Sequence, residues 1–293
     1  MSAPTRRAVL GLGALPLTAA VGGCSVVGDD GAGDAGPGSS GGAPSGTEPE
    51  ILTYGEGPSQ TAELFRPDGP PRGRVVVLHG GFWLGSYDLS LGRPLARDLA
   101  ARGWLALNVE YRRVGGGGGV PATLDDVSAA VDLLGDTGAG PVVTLGHSAG
   151  GQIAVWAAGR QRLPRWRDAR VTVTHAVSQA GVLDLAGGAA TDLGNGAVVG
   201  FLGGTPQQVP RAYAMADPLA QVPLEVPVWC VHGRDDDIVP IEQSRVYVRA
   251  ATAAGGRATL VETVGGHLDQ IDVEGDPWSR TVEVLETIAP AGS

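Results

Sequence analysis

Lysine is absent from this 293-residue chain, so all 21 positive residues are arginines, and that absence carries no functional reading. A basic excess is missing too: the 31 acidic residues leave a net charge of −10. This balance excludes the basic footprint that a nucleic-acid partner requires. Cysteine is scarce, with only Cys24 and Cys230. A bridge between them would tie a processed N-terminus to an apolar core run, so no structural disulfide is expected. Long apolar runs are lacking as well, and the stretch 8–21 falls short of a membrane span. What is abundant is glycine, at 48 residues, within an ordinary globular hydrophobic fraction of 43%.

The N-terminus reads as an address. Thr5, Arg6 and Arg7 precede the run 8–21, apolar apart from Thr18, and Gly22, Gly23 and Cys24 close it. Residues 1–24 therefore have the layout of an export signal peptide. Val21-Gly22-Gly23-Cys24 resembles a bacterial lipobox, which implies lipidation of Cys24, although glycine at its second position is a departure. The paired arginines before Ala8, Val9 and Leu10 resemble a twin-arginine signal, with the general secretory route as the alternative. An incidental Cys24 in a signal cut elsewhere is the competing reading. Residues 25–50 are rich in Gly, Asp, Ser and Pro, cannot bury a core, and read as a flexible tether. The expected location is the outer face of the cell membrane, held by a lipid anchor and by no other membrane contact; otherwise the protein is secreted. Residues 51–293 suffice for one α/β domain.

Pro141 to Ala158 organises that domain. An apolar run ends at Gly146, then His147, Ser148, Ala149 and Gly150 lead into a helical pattern. Glycines two before and two after a serine leave room for a strained turn that lifts its hydroxyl clear of a sheet. With 48 glycines and 14 serines, G-x-S-x-G arises by chance about 0.4 times, so the pentapeptide alone is weak. Its place between an apolar run and a helix start gives it weight.

Around it, apolar β-branched runs alternate with helical spacing. Strands are expected at 51–54, 60–66, 74–78, 104–111, 142–145, 171–180, 226–231 and 258–264, and helices at 89–102, 122–134, after Ser148, at 241–254 and at 277–288. The first two strands suggest an antiparallel start, and the rest a mostly parallel sheet of about eight strands with helices on both faces. Asp125 and Asp126 are expected to serve the helix dipole. Residues 181–222 read as a small insertion with short helical pieces, not a large cap domain. In doubly wound sheets functional loops gather at the carboxyl ends of strands. Four candidates lie there: His79-Gly80-Gly81-Phe82-Trp83, the Ser148 turn, His232 to Pro240, and Gly265-Gly266-His267.

These motifs resemble the α/β-hydrolase superfamily over residues 51–288. GHSAG matches its nucleophile motif, and Ser, Asp and His follow in its chain order. HGGFW is similar to the oxyanion loop of carboxylesterase and hormone-sensitive-lipase-like enzymes, and more so to that of kynurenine formamidase-like hydrolases. The resemblance implies Ser148 as nucleophile and His267 as base. Aligning HGRDDDIVP with the family's H-G-x-x-D-x-x-V-P selects Asp236 as acid, with Asp235 or Asp237 open as alternatives. Oxyanion donors are expected from the backbone N–H groups of Gly81, Phe82 and Ala149. His79 and His232 read as loop-shaping groups, His147 as pointing away, and His175 as a core or surface residue. Asp269 and Asp272 read as surface or capping residues. Phe82 and Trp83 either line a pocket or serve as packing, and the five glycines at 115–119 depart from the family and suggest a loosened wall. The implied activity is hydrolysis of a small ester without metal or organic cofactor. Aryl formamides, acyl- or aminoacyl-peptides, and a catalytically silent surface-binding role are the alternatives.

Overall fold

The computed structural model describes residues 48–289; the signal, lipobox and most of the tether expected from the sequence lie outside them. Eight strands form: β1 Glu50–Thr53, β2 Thr61–Phe65, β3 Arg74–Leu78, β4 Leu105–Val109, β5 Val142–His147, β6 His175–Gln179, β7 Val228–Gly233 and β8 Ala258–Thr263. They make one sheet in the order β1-β2-β4-β3-β5-β6-β7-β8. Pairings β1/β2 and β2/β4 are antiparallel and the rest parallel. The expected sheet is therefore the observed one.

Helices cover both faces: α1 Arg93–Ala101, α2 Ala122–Asp132, α3 Ala149–Gly159, α4 Leu185–Ala190, α5 Ala197–Leu202, α6 Pro210–Ala216, α7 Glu242–Ala253 and α8 Asp276–Ile288. The RVVVL run of β3 is buried on both sides because alternate side chains enter different cores. Val76 and Leu78 pack with Leu124 and Ile153 from α2 and α3, while Val75 and Val77 pack with Leu95 and Leu285 from α1 and α8. A third cluster joins Tyr247 and Ala251 of α7 to Val228 and Cys230 of β7.

Several expectations need correction. The helix expected from residue 89 begins as a 3-10 turn, Leu89–Leu91, and becomes α-helical at Arg93, with a proline in its first turn. β6 begins at His175, not 171, because side chains occupy Val171: its amide donates to Asp132 at 3.0 Å and its carbonyl accepts from Arg160 at 2.6 Å. Asp126 serves more than a dipole. It is buried, pairs with Arg112 at 2.7 Å and accepts from Gln60 at 2.8 Å, tying α2 to the segment after β4 and the turn before β2. The 115–119 glycines do not form a loose wall. Gly116 and Gly118 donate to the Arg113 carbonyl, and Gly119 to the Thr123 hydroxyl, each at 2.9 Å.

Candidate active site

The site lies where β3, β5, β7 and β8 end. Between β5 and α3 the chain turns at Ser148, which adopts φ +56 and ψ −120, a strained conformation for a residue with a side chain. Its amide is held by the Gln179 carbonyl at 2.8 Å. The flanking glycines permit this by close approach. A Cβ at Gly146 would overlap the Gly150 carbonyl, and one at Gly150 would overlap the carbonyl oxygens of Leu78 and His79. The Ser148 turn and the His79–Gly81 loop are thus packed backbone to backbone, and a Cβ at Gly80 would come within 3.1 Å of the Ser148 Cβ. Ala149 opens α3, where the first amides lack intrahelical acceptors and the positive dipole end gathers.

After β3, Gly81 at φ +105, Phe82 at φ +50 and Trp83 at φ +57 turn the chain sharply. Leu84 N–H closes the turn on the Gly81 carbonyl at 2.9 Å. Trp83 is fully buried, stacked on Phe201, and donates from its indole to Gln152 at 3.1 Å, so it is a packing residue and not a pocket wall. Phe82 is only partly buried, and its ring lies against Gly194 of the insertion.

His267 follows β8, and its Nδ1 lies 2.8 Å from Asp236 Oδ2. Of the three adjacent aspartates only Asp236 makes this contact with His267; Asp235 and Asp237 are exposed, and α7 starts without a side-chain cap. Asp236 Oδ1 accepts from the amides of Ile238 at 3.0 Å and Val239 at 2.8 Å, and Oδ2 also faces His232 Nε2 at 3.3 Å. Burial alone would raise this carboxyl, yet hydrogen bonds from His232 and His267 hold it well below the usual carboxylate range.

His147 has a partner that the sequence does not reveal. Its Nε2 donates to the backbone carbonyl of His267 at 3.0 Å, and the two rings lie 4.5 Å apart. Burial and the neighbouring His267 push its pKa down to about 3. His79 stacks on Tyr111 at 4.3 Å, and burial lowers it to about 4. Both are neutral scaffolding groups. His175 is partly buried and stacks on Trp229. Asp269 accepts the Gly266 amide at 2.7 Å and so shapes the His267 turn. Of the six exposed large apolar residues among those described, Leu84, Tyr87, Ile238, Val264 and Leu268 belong to the loops that carry these groups, and the sixth, Ile51, lies in β1. Among the described residues, no group of three or more His, Cys, Asp or Glu side chains is arranged to hold a metal ion.

Solved structures share this architecture. An esterase from the planctomycete Thermogutta terrifontis superposes with a TM-score of 0.67 and 22% identity, covering 84% of this chain and 95% of that one. An inhibited esterase B from Lactobacillus rhamnosis gives 0.69 and 20%, over 82% and 86% or 85% in two inhibitor complexes. In sequence, the probable carboxylic ester hydrolase LipM of Mycobacterium tuberculosis is 28% identical over 67% of this chain and 50% of its own length. Esterase LipC of the same organism is 26% identical over 69% and 54%. The chain thus spans about half the length of these two relatives. The BD-FAE family model matches residues 67–250, and the chain belongs to that family, within the α/β-hydrolase superfamily.

Proposed function

We propose that this protein is an exported serine carboxylesterase in which His267, oriented by Asp236, takes the proton of Ser148. The serine oxygen attacks the ester carbonyl, and the N–H groups of Gly81, Phe82 and Ala149 stabilise the oxyanion. His267 returns the proton to the leaving alcohol, giving an acyl-enzyme. Water then attacks that acyl group with the same base, releasing acid and free serine. The observation that carries the reading is the 2.8 Å contact of His267 with Asp236, together with a strained Ser148 that is packed against the glycine loop and follows the His147 that holds the His267 carbonyl. The esterase names of both sequence relatives support it. An apolar rim suits an uncharged ester with apolar groups on both sides of the carbonyl.

Ser148→Ala is expected to remove hydrolysis of short acyl nitrophenyl esters by at least about 10³-fold, with an unchanged circular dichroism spectrum. Full activity in that variant overturns the proposal. The partly buried Phe82 ring beside Gly81 also favours an aryl formamide as a second substrate class, so N-formylkynurenine belongs in the same assay panel. For location, we propose lipidation at Cys24. Replacing it by serine is expected to move activity from the membrane fraction to the soluble fraction, and unchanged membrane association counts against the anchor.

A further inference from the structure

We propose that His232, fixed by Ser244, is a positioning residue for the acid: it donates to Asp236 and so sets how the carboxylate holds His267. This rests on the triad reading above. His232 is the penultimate residue of β7 and is fully buried. Its Nε2 lies 2.9 Å from the Val239 carbonyl and 3.3 Å from Asp236 Oδ2. Both of those atoms only accept, so Nε2 must carry a hydrogen. In the neutral ring Nδ1 is then the bare nitrogen, and the Ser244 hydroxyl, 2.8 Å away and fully buried, is the donor that fills it.

Asp236 consequently has four polar contacts: hydrogen bonds from two backbone amides on Oδ1 and from His267 on Oδ2, and the longer 3.3 Å approach of the His232 N–H, whose nearer acceptor is the Val239 carbonyl. Two of the four reach it through Val239 and His232, which are joined to each other. Ser244 stands in the first turn of α7, so that helix fixes the tautomer of His232 and through it the carboxylate. Sharing Oδ2 between two donors also draws charge from the bond to His267. Without His232 the carboxylate is more negative toward His267 and less firmly aimed. Loss of aim lowers kcat, and the stronger pull moves the acid limb of the kcat/KM profile to higher pH. Asp269 faces the His267 turn as acceptor of the Gly266 amide; the other buried titratable groups here are His147, which burial lowers to about 3, and the Cys230 thiol, which burial raises to about 12. Neither titrates within the range of the test.

The experiment measures kcat and KM against pH for full-length His232→Leu, His232→Gln and Ser244→Ala, per active site titrated with a fluorophosphonate. Glutamine keeps a donor at the Nε2 position. His232→Leu is expected to lose about tenfold in kcat with KM within about twofold, and to shift the acid limb of kcat/KM up by about half a pH unit. His232→Gln is expected to restore most of both, and Ser244→Ala to move both in the direction of leucine. Titrated sites of His232→Leu that turn over with wild-type kcat and an unmoved acid limb overturn the inference, even where fewer sites survive. If that variant does not fold, a wild-type pH profile in Ser244→Ala overturns it instead. Asp236→Asn and Ser148→Ala run alongside: full activity in either fells the triad reading, whereas their inactivity with an indifferent His232 fells this inference alone.

Discussion

At Gly150 one hydrogen atom stands where a methyl group would overlap the carbonyl oxygens of Leu78 and His79. Those carbonyls belong to the strand end and loop that precede Gly81, so a side chain here has to push the proposed oxyanion donors away from Ser148. Gly150→Ala is expected to cost about 1–3 kcal/mol through overpacking. It should also lower kcat by about 10²-fold, because a misplaced donor is nearly a lost one. Gly200 supplies the comparison. It lies inside α5, a Cβ there meets nothing within 4 Å, and its backbone is not left-handed. Gly200→Ala is expected to stabilise by about 0.4–1 kcal/mol with unchanged kcat. Urea titrations and steady-state rates on both variants check the pair, and equal effects at the two positions refute the packing argument.

Among the elements, the segment before β6 depends on α2. Asp132, at the end of α2, receives the amides of Arg170 and Val171 and pairs with Arg160 at 3.0 Å. Arg160 is buried, so removing its partner leaves an uncompensated charge inside the fold. Asp132→Ala is expected to destabilise by about 3 kcal/mol, read as a lower urea midpoint at unchanged m-value, with kcat per active site intact. The same contact explains what the sequence could not reveal. The strands were legible because runs such as RVVVL and VVTL are short, apolar and bounded by turn residues, and the site was legible because Ser148, Asp236 and His267 follow strand ends in chain order. Strand boundaries set by distant side chains were not, because nothing local to 171–174 marks Asp132 and Arg160 as its partners. For the same reason, periodicity gave no sign that His147 holds the His267 carbonyl across 120 residues, or that Trp83 packs inward onto Gln152. The i,i+4 spacing of His232 and Asp236 was visible, but only the backbone turn between them makes it a contact.

For the whole molecule, folding fixes the charge state of groups far apart in sequence, and pH reads that out. His147 and His79 have folded pKa values of about 3 and about 4, each lowered first by burial, against about 6.5 in an unfolded chain. Their contribution is complete above pH 6.5 and is lost as pH falls, because only the unfolded chain takes up those two protons. Asp217 works the other way. It anchors the insertion by accepting amides of Leu185, Ala186 and Leu219, and burial raises it to about 6 against those bonds. Its folded form therefore binds a proton between about pH 4 and 6 that the unfolded chain does not. The two deeply buried histidines against one carboxyl leave a net uptake of about one on unfolding in that window, to which His175, also lowered by burial, adds in the same direction. Stability is then expected to fall by about 1.4 kcal/mol for each pH unit from 6 to 4. Below about pH 4 the slope steepens, because Asp236 is held below the carboxylate range and the unfolded chain protonates it first. The sign is tested by urea midpoints at half-unit intervals from pH 7 to 3.5. Asp217→Asn, which removes the opposing proton, is expected to roughly double the slope between pH 6 and 4, and a slope that stays the same in that variant refutes the assignment.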